Sequence, residues 1–197
     1  ILAPILYAVH RLLYNGIPAP RAATGRAPHG RPMTTAMRPG IAVTAAGPFD
    51  PAAVRAADYC EIRADLWPGG PAEAPARIAA SPRPVIFTCR SAAEGGGFRG
   101  SDAEREGIFA RARDLGAALI DIELGSPLLR RGVAAGWPVL ASHHDFAGPV
   151  EGIPGLLRAA CDEGAAAAKI VPTARSVADV IALRRAFAEP APLPAAM

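Results

Sequence analysis

Lysine is nearly missing from this sequence of 197 residues, since Lys169 is the only lysine and the other 20 basic residues are arginines. The two side chains are not interchangeable. A buried lysine can lose its proton near neutral pH and act as an amine nucleophile, whereas a guanidinium cannot. Lys169 also lies in an apolar run at 165–171. Two interpretations stay open here: a lysine that forms a Schiff base, or a chance survivor in a lysine-poor composition.

Acidic side chains are missing from the first 40 residues, and this absence explains the positive net charge. That segment holds five arginines, whereas residues 41–197 hold 16 cations against 18 acids. The body lacks a basic stripe with interleaved aromatic residues, so we expect no nucleic-acid partner. Residues 1–40 are rich in Pro, Gly, Ala and Arg without periodicity, and we expect a disordered or non-native extension there.

Cysteines and long hydrophobic runs are also scarce. The three cysteines have no CxxC spacing, so they indicate small buried residues in a reducing cytosol rather than a disulfide frame or a zinc site: Cys60, Cys89 and Cys161. The apolar stretch at 1–13 is interrupted by proline, histidine and arginine and is too short to span a bilayer. A signal peptide is a weaker alternative. We therefore expect a cytoplasmic protein without a membrane partner.

Short apolar runs alternate with helical patterns from Ile41 onward. Strands are predicted near 41–45, 58–64, 84–89, 118–124, 138–142, 167–172 and 193–197. Helices are predicted near 50–57, 71–80, 101–115, 126–136, 151–163 and 175–188. A capping box at Ser101 and Glu104 marks one helix start. This alternation implies parallel strands joined by right-handed crossovers.

Polar side chains recur on one face of five successive strands, because residues two apart in a strand share a face. They are Glu61, Arg63 and Asp65; Thr88 and Arg90; Asp121 and Glu123; Ser142 and His144; and Lys169. An open doubly wound sheet would have to bury them against helices at high cost. In a (β/α)8 barrel such exceptions mark the active-site end. We therefore predict an α/β protein with a barrel.

The predicted barrel is incomplete. Residues 41–197 supply six strand–helix units and the start of a seventh strand at Leu193, whereas a whole barrel takes about 250 residues. We therefore expect the chain to be truncated within its seventh strand, and to comprise an extension at 1–40 followed by a partial catalytic barrel at 41–197.

Two residues are candidates for proton transfer. His144, at the end of the fifth strand, has the ordinary pKa of a general acid or base; a histidine bonded to the backbone is the alternative. A metal site is disfavoured because the neighbouring His143 points to the opposite strand face. Glu94, on a triple-glycine loop, can orient an imidazole, or it can simply belong to a flexible turn.

The carboxylates on the polar face have two interpretations as well. Asp121 and Glu123 are either a magnesium pair or, as we prefer, charge partners for Arg63 or Lys169. Glu61 and Arg63 can neutralise one another, because an unpaired buried charge is costly.

Five motifs at the ends of successive strands together resemble those of type I 3-dehydroquinate dehydratases. They are EIRAD at 61–65, FTCR at 87–90 with EGG at 94–96, IDIEL at 120–124, SHHDF at 142–146 and KI at 169–170. The resemblance covers residues 41–197. It implies a (β/α)8 lyase of the shikimate pathway that dehydrates 3-dehydroquinate to 3-dehydroshikimate without metal or cofactor, and that is a homodimer when full length.

The resemblance also implies residue roles. Lys169 forms an imine with the substrate ketone, His144 moves the proton, and Glu94 orients His144, so these three are the implied catalytic residues. The implied substrate-binding residues are Glu61, Arg63 and Arg90. In the family an arginine after the seventh strand binds the substrate carboxylate and a loop after the eighth closes the site. We expect both to lie beyond this chain, which would leave it with little or no activity.

Other hypotheses stay open. A class I aldolase or transaldolase barrel uses similar imine chemistry, and turnover of 3-dehydroquinate rather than sugar phosphates separates the two. A decayed fragment or a binding scaffold would have no enzymatic activity. A second enzyme of the same pathway fused to the parent protein is a further alternative.

Overall fold

The six strands of the sheet are all parallel and follow one another in chain order. The structure, a computed structural model, describes residues 40–148 and 152–188. The strands are β1 (Ala42–Ala45), β2 (Tyr59–Arg63), β3 (Val85–Thr88), β4 (Leu119–Glu123), β5 (Val139–Asp145) and β6 (Ala167–Pro172). A doubly wound sheet would reverse its strand order at a switch point. The observed order is that of an incomplete barrel, as predicted.

Helices connect the strands on the outer side. They are α1 (Pro51–Val54), α2 (Asp102–Asp114), α3 (Pro127–Ala134), α4 (Ile153–Asp162) and α5 (Val177–Ala188). The predicted capping box begins α2: the Ser101 hydroxyl accepts from the Glu104 amide, and the Glu104 carboxylate accepts from the Ser101 amide at 2.7 Å.

The inner face of the sheet changes from apolar to polar along the strands. The first inward residues are apolar and pack together as one buried cluster: Ala42, Tyr59, Ile86, Leu119, Leu140 and Ala167. Two residues later on each strand the inward residue is polar: Thr44, Glu61, Thr88, Asp121, Ser142 and Lys169. A plug of apolar side chains therefore closes the amino end of the strands and leaves the polar groups at the carboxyl end, where barrels hold their active sites.

The outer face of the sheet packs against the helices and forms the larger core. Ile62, Phe87, Ile120 and Val139 alternate with the inward residues and meet Phe109, Leu128 and Leu129 of the helices. This packing fixes the strands whose opposite face carries the polar groups.

Two helix predictions were too long. The pattern near 50–57 forms only the single turn of α1, because Val54 and Ala57 are already buried and the chain enters β2 at Tyr59. The pattern near 71–80 forms a 3₁₀ helix at Ala74–Ala80, where Pro75 lacks the amide that an α-helix interior requires. The other helices begin and end within two residues of the prediction. Residues 1–39 of the expected extension at 1–40, and the predicted strand at 193–197, lie outside the described residues.

Cysteine burial agrees with the sequence for two of three residues. Cys60 and Cys89 are buried, and burial raises the pKa of their thiols to about 11 and about 12. Cys161 is only half-buried, which the sequence did not predict. Among the described residues no helix is long and apolar enough to cross a membrane, and no group of three or more His, Cys, Asp or Glu side chains is arranged to hold a metal ion.

Candidate active site

The ammonium group of Lys169 lies inside the barrel between two buried carboxylates. Its Nζ is 2.9 Å from Glu61 Oε1 and 3.3 Å from Asp121 Oδ2. Only 9% of the Lys169 side chain is exposed. The apolar residue Ala167 lies two positions earlier on the same face, so Lys169 projects just above the apolar plug.

A buried lysine can lose its proton near neutral pH, but the surroundings of Lys169 favour the charged form. Burial alone would lower its pKa, but the charges of Asp121 and Glu61 and the hydrogen bond to Glu61 outweigh burial and hold the pKa above its ordinary value. The resting group is therefore an ammonium ion, and it has to lose a proton before it can attack a carbonyl carbon.

Glu61 is held on both carboxylate oxygens. Thr44 donates to Oε2 at 2.8 Å, and Thr88 donates to Oε1 at 2.9 Å, where Lys169 also donates. Burial would raise the pKa of Glu61, but the charge of Lys169 and these hydrogen bonds lower it to about 2. Glu61 is therefore ionised and fixed in place.

Arg63 pairs with Asp65 and not with Glu61, so the predicted pairing was wrong. Arg63 Nε and Nη2 donate to the two Asp65 oxygens at 2.9 and 2.7 Å. This bidentate pair, together with two backbone amides of the loop after β3, lowers the pKa of Asp65 despite burial. Asp65 is the partner because it lies within a 3₁₀ turn at Ala64–Leu66, which brings its carboxylate back to the Arg63 guanidinium.

Arg90 and Ser142 join Asp121 in a buried network. Arg90 Nη2 lies 2.8 Å from Asp121 Oδ1, and Arg90 Nη1 donates to the Ser142 hydroxyl at 2.7 Å. Ser142 donates in turn to Asp121 at 2.6 Å. Burial would raise the pKa of Asp121, but the charges of Arg90 and Lys169 hold it well below its usual range. The prediction that Asp121 is a charge partner of Lys169 is confirmed.

His144 and Glu94 face each other at the rim of the site without a hydrogen bond. His144 Nδ1 lies 3.8 Å from Glu94 Oε2, and both atoms are buried without a partner within the described part of the chain. Burial and the charge of Arg90 lower the pKa of His144 to about 3. His144 is therefore neutral at physiological pH and can accept a proton. The ring of Phe146 stacks on it, with centroids 6.1 Å apart.

The residue that sequence reasoning missed is Arg105. Glu123, predicted to serve Arg63 or Lys169, instead binds Arg105 of α2, whose Nη1 lies 2.9 and 2.8 Å from its two oxygens. Arg105 is buried in line with Phe109 and Ala112. The signal was available, since an arginine four and seven residues before apolar positions lies on the inward face of a helix.

The triple glycine after β3 forms a tightly packed loop rather than a phosphate cradle. A side chain at Gly96 would lie 2.2 Å from the Arg90 carbonyl oxygen, and one at Gly97 would lie 2.5 Å from that of Asp65. Gly95 has a φ of +75° and sits under the Phe146 ring. The glycines therefore let the loop approach the ends of β2 and β3 and place Glu94 beside His144.

The site can now be compared with known proteins. Residues 49–194 match the family model of type I 3-dehydroquinase. The chain belongs to this family. The resemblance predicted from the five motifs is thereby confirmed.

Individual members of the family agree with this assignment. The 3-dehydroquinate dehydratase of Dehalococcoides mccartyi (strain ATCC BAA-2266) is 36% identical over 133 residues, which are 64% of this chain and 58% of that protein. That of Methanothrix thermoacetophila is 35% identical over 132 residues, 66% of this chain and 57% of that protein. The crystal structure of the enzyme from Aquifex aeolicus VF5 is 29% identical with a TM-score of 0.56, covering 66% of this chain and 63% of that one.

The chain spans less than three fifths of the length of these two curated relatives. The match to the type I 3-dehydroquinase family nevertheless includes all six residues to which the motifs assigned roles: Lys169, His144, Glu94, Glu61, Arg63 and Arg90.

Proposed function

We propose that this chain carries the imine-forming site of a 3-dehydroquinate dehydratase, a hydro-lyase that converts 3-dehydroquinate to 3-dehydroshikimate. One observation carries the proposal: the only lysine of the chain lies between two buried carboxylates, and the neutral imidazole of His144 lies on the neighbouring strand β5, two residues beyond the residue that pairs with Lys169. An amine, a base and fixed negative charge are the groups that imine-mediated elimination requires.

The proposed reaction begins at Lys169. The ammonium loses a proton, and the free amine attacks the substrate ketone and releases water as the imine forms. The protonated imine restores the positive charge next to Glu61 and Asp121, so the two carboxylates that suppress the free amine stabilise the iminium ion. The iminium in turn withdraws electrons from the neighbouring carbon and makes its C–H bond acidic.

His144 acts next in this proposal. Its neutral ring takes the acidic proton to give an enamine, and the resulting imidazolium protonates the departing hydroxyl so that water leaves. Hydrolysis of the product imine then frees Lys169. Glu94, 3.8 Å away, is placed to accept a hydrogen bond once the ring is charged. Arg63 and Arg90 supply donors for substrate hydroxyls, although each is already bound to a carboxylate.

Trapping with borohydride tests this proposal. The chain is incubated with 3-dehydroquinate and sodium borohydride and analysed by intact and peptide mass, with folding checked by circular dichroism. A stable adduct on Lys169 is expected, and the α-amino group is the one other primary amine in the chain. Lys169→Arg is the matched control, because it keeps the charge between the carboxylates but cannot form the imine. A folded wild-type chain without adduct would overturn the proposal, and an adduct formed only with sugar phosphates would indicate an aldolase.

The resemblance implies two further properties of the whole enzyme, a cytoplasmic location and a homodimeric state. Both stay predictions. Light scattering on the purified parent protein measures the second.

A further inference from the structure

The loop that carries Glu94 is closed on itself at its base. The Phe98 amide donates to the Arg90 carbonyl at 3.1 Å, and the Ala92 amide donates to the Phe98 carbonyl at 2.9 Å. Within the loop the Gly96 amide donates to the Ser91 carbonyl at 2.8 Å. The loop is thus a small closed unit, and its orientation depends on what holds the base to the barrel.

Two buried carboxylates from different strands hold that base. Asp65, after β2, accepts from the Arg90 amide at 3.1 Å and from the Gly97 amide at 3.0 Å. Glu123, at the end of β4, accepts from the Ser91 amide at 3.1 Å. The carboxylates that pair with Lys169 in the described part of the chain are Glu61 and Asp121, so the proposed imine chemistry uses neither Asp65 nor Glu123.

Each of these carboxylates has its own arginine. Asp65 is bound by Arg63, and Glu123 is bound on both oxygens by Arg105 from the outer helix α2. The other cation near Glu123 among the described residues is Arg90, at 3.7 Å. Arg105 has 5% of its side chain exposed, and its neutralising charge allows Glu123 to stay ionised while it accepts the amide.

We propose that Arg105 and Glu123 are positioning residues for the reaction: they anchor the base of the loop at Ser91 and thereby hold Glu94 against His144. The pair reaches from a helix outside the barrel to the rim of the site, and it touches neither substrate nor Lys169. Loss of the anchor lets the loop swing at Ser91, which misplaces Glu94 and slows proton transfer by His144, but leaves imine formation at Lys169 intact.

Two variants remove the anchor in different ways. The double substitution Arg105→Gln with Glu123→Gln replaces the ion pair by two amides and leaves no unpaired buried charge. Ser91→Pro retains both charged side chains but replaces the donated N–H by the ring Cδ, so the Glu123 carboxylate no longer binds the base of the loop. Ser91 has φ −67°, close to the value that proline fixes. The matched control is Glu106→Gln with Arg131→Gln, an ion pair of 2.9 Å that joins α2 to α3 on the surface.

Hydrogen exchange is the first readout, and it does not depend on catalysis. Both anchor variants should raise the exchange rate of amides 92–97 roughly two- to tenfold, the effect of losing one hydrogen bond, while peptides from β3, β4 and β5 stay protected. The control pair should exchange like the wild type. Unchanged loop exchange in a folded Ser91→Pro protein would overturn the anchoring.

The second readout rests on the proposed function and separates positioning from mere stability. Borohydride-trapped adducts on Lys169 carry either the substrate or a product lighter by one water. Both anchor variants should form total adduct at the wild-type rate but dehydrate it roughly ten- to a hundredfold more slowly, the effect of a misplacement of about 1 Å. Equal losses in both adducts would overturn the positioning role. If the wild type forms no adduct, the proposed function fails. The hydrogen-exchange rates of amides 92–97 then decide alone whether Arg105 and Glu123 anchor the loop.

Discussion

Lys169 is kept as an ammonium ion by its neighbours, and this determines how it can react. With a pKa above the ordinary value, fewer than about one molecule in a thousand carries the free amine at pH 7. The two carboxylates therefore lower the reactivity of the resting amine toward any passing electrophile. In the proposed reaction the same two carboxylates stabilise the positive charge of the iminium ion, so the proposal matches the site to the cationic intermediate rather than to the free amine.

Replacing Glu61 by Gln should release the free amine at lower pH. The substitution removes one of two negative charges and leaves only a neutral acceptor for the shorter hydrogen bond, so the pKa of Lys169 falls. The rate of reductive methylation of Lys169 by formaldehyde and borohydride, followed against pH by peptide mass, should shift to lower pH by about one to three pH units. Glu106→Gln, at a half-buried position of α2 with Arg131 as its ion-pair partner, is the control and should leave the profile in place. An unshifted profile in folded Glu61→Gln would show that Asp121 alone holds the proton.

At the scale of elements, glycines in two neighbouring helices have opposite roles. Gly107 in α2 is exposed, and a methyl group there would meet nothing within 4 Å. Gly132 in α3 is buried, and its methyl group would lie 2.8 Å from Trp137 and 3.3 Å from Ile122. Gly132 thus lets α3 pack closely on β4, whereas Gly107 only adds backbone freedom to α2.

Alanine at these two positions should therefore change stability in opposite directions. Gly107→Ala should raise the free energy of unfolding by about 0.5–1 kcal/mol, since it reduces the entropy of the unfolded chain. Gly132→Ala should lower it by about 1–3 kcal/mol through overpacking. Urea unfolding followed by circular dichroism measures both. A stabilised Gly132→Ala protein would mean that Trp137 moves aside without cost.

Elements were more predictable from the sequence than the contacts between them. Strand period, the Ser101 capping box and the polar face of five strands are local signals, and they predicted the barrel and the bounds of five of the six described strands to within one residue, whereas β5 runs to Asp145, three residues beyond its predicted end. The partner of each buried charge depends on details that no local pattern contains. Arg63 pairs with Asp65 because of a 3₁₀ turn, and Glu123 pairs with Arg105 across a helix–sheet contact.

The protonation state of Lys169 could not be predicted from the sequence for a related reason. Burial is visible in the sequence as an apolar run, and it lowers the pKa of a lysine. The opposing contribution needs the distances to Glu61 and Asp121, which are 108 and 48 residues away in the chain. Because the direction of the Lys169 pKa shift depends on the balance of these two large contributions, it follows only from the folded geometry.

At the scale of the whole molecule, the buried charges at the carboxyl end of the barrel are paired while His144 is neutral. Four cations are paired with four carboxylates in the described part of the chain: Lys169, Arg90, Arg63 and Arg105 with Glu61, Asp121, Asp65 and Glu123. Protonation of His144 would add a positive charge close to Arg90 and Lys169, opposed at 3.8 Å by the partly exposed carboxylate of Glu94. Acid should therefore destabilise the fold as a whole through this one ring.

The sign and the pH window follow from the two states of His144. The unfolded ring binds a proton near pH 6.5, whereas the folded ring does so only near pH 3, so stability falls as pH drops below about 6.5. Glu61, with a folded pKa of about 2 against 4.5, adds to the loss only below about pH 4.5. Between pH 6.5 and 5 the wild type should lose about 1–2 kcal/mol of unfolding free energy through His144.

His144→Asn should flatten this acid dependence, because asparagine does not titrate. His143→Asn is the matched control: it removes the neighbouring ring on the opposite strand face and should keep the wild-type slope. Urea unfolding at pH 7, 6 and 5 gives the three slopes directly. If His144→Asn and the wild type lose stability in parallel, the ring does not carry the acid sensitivity of the fold.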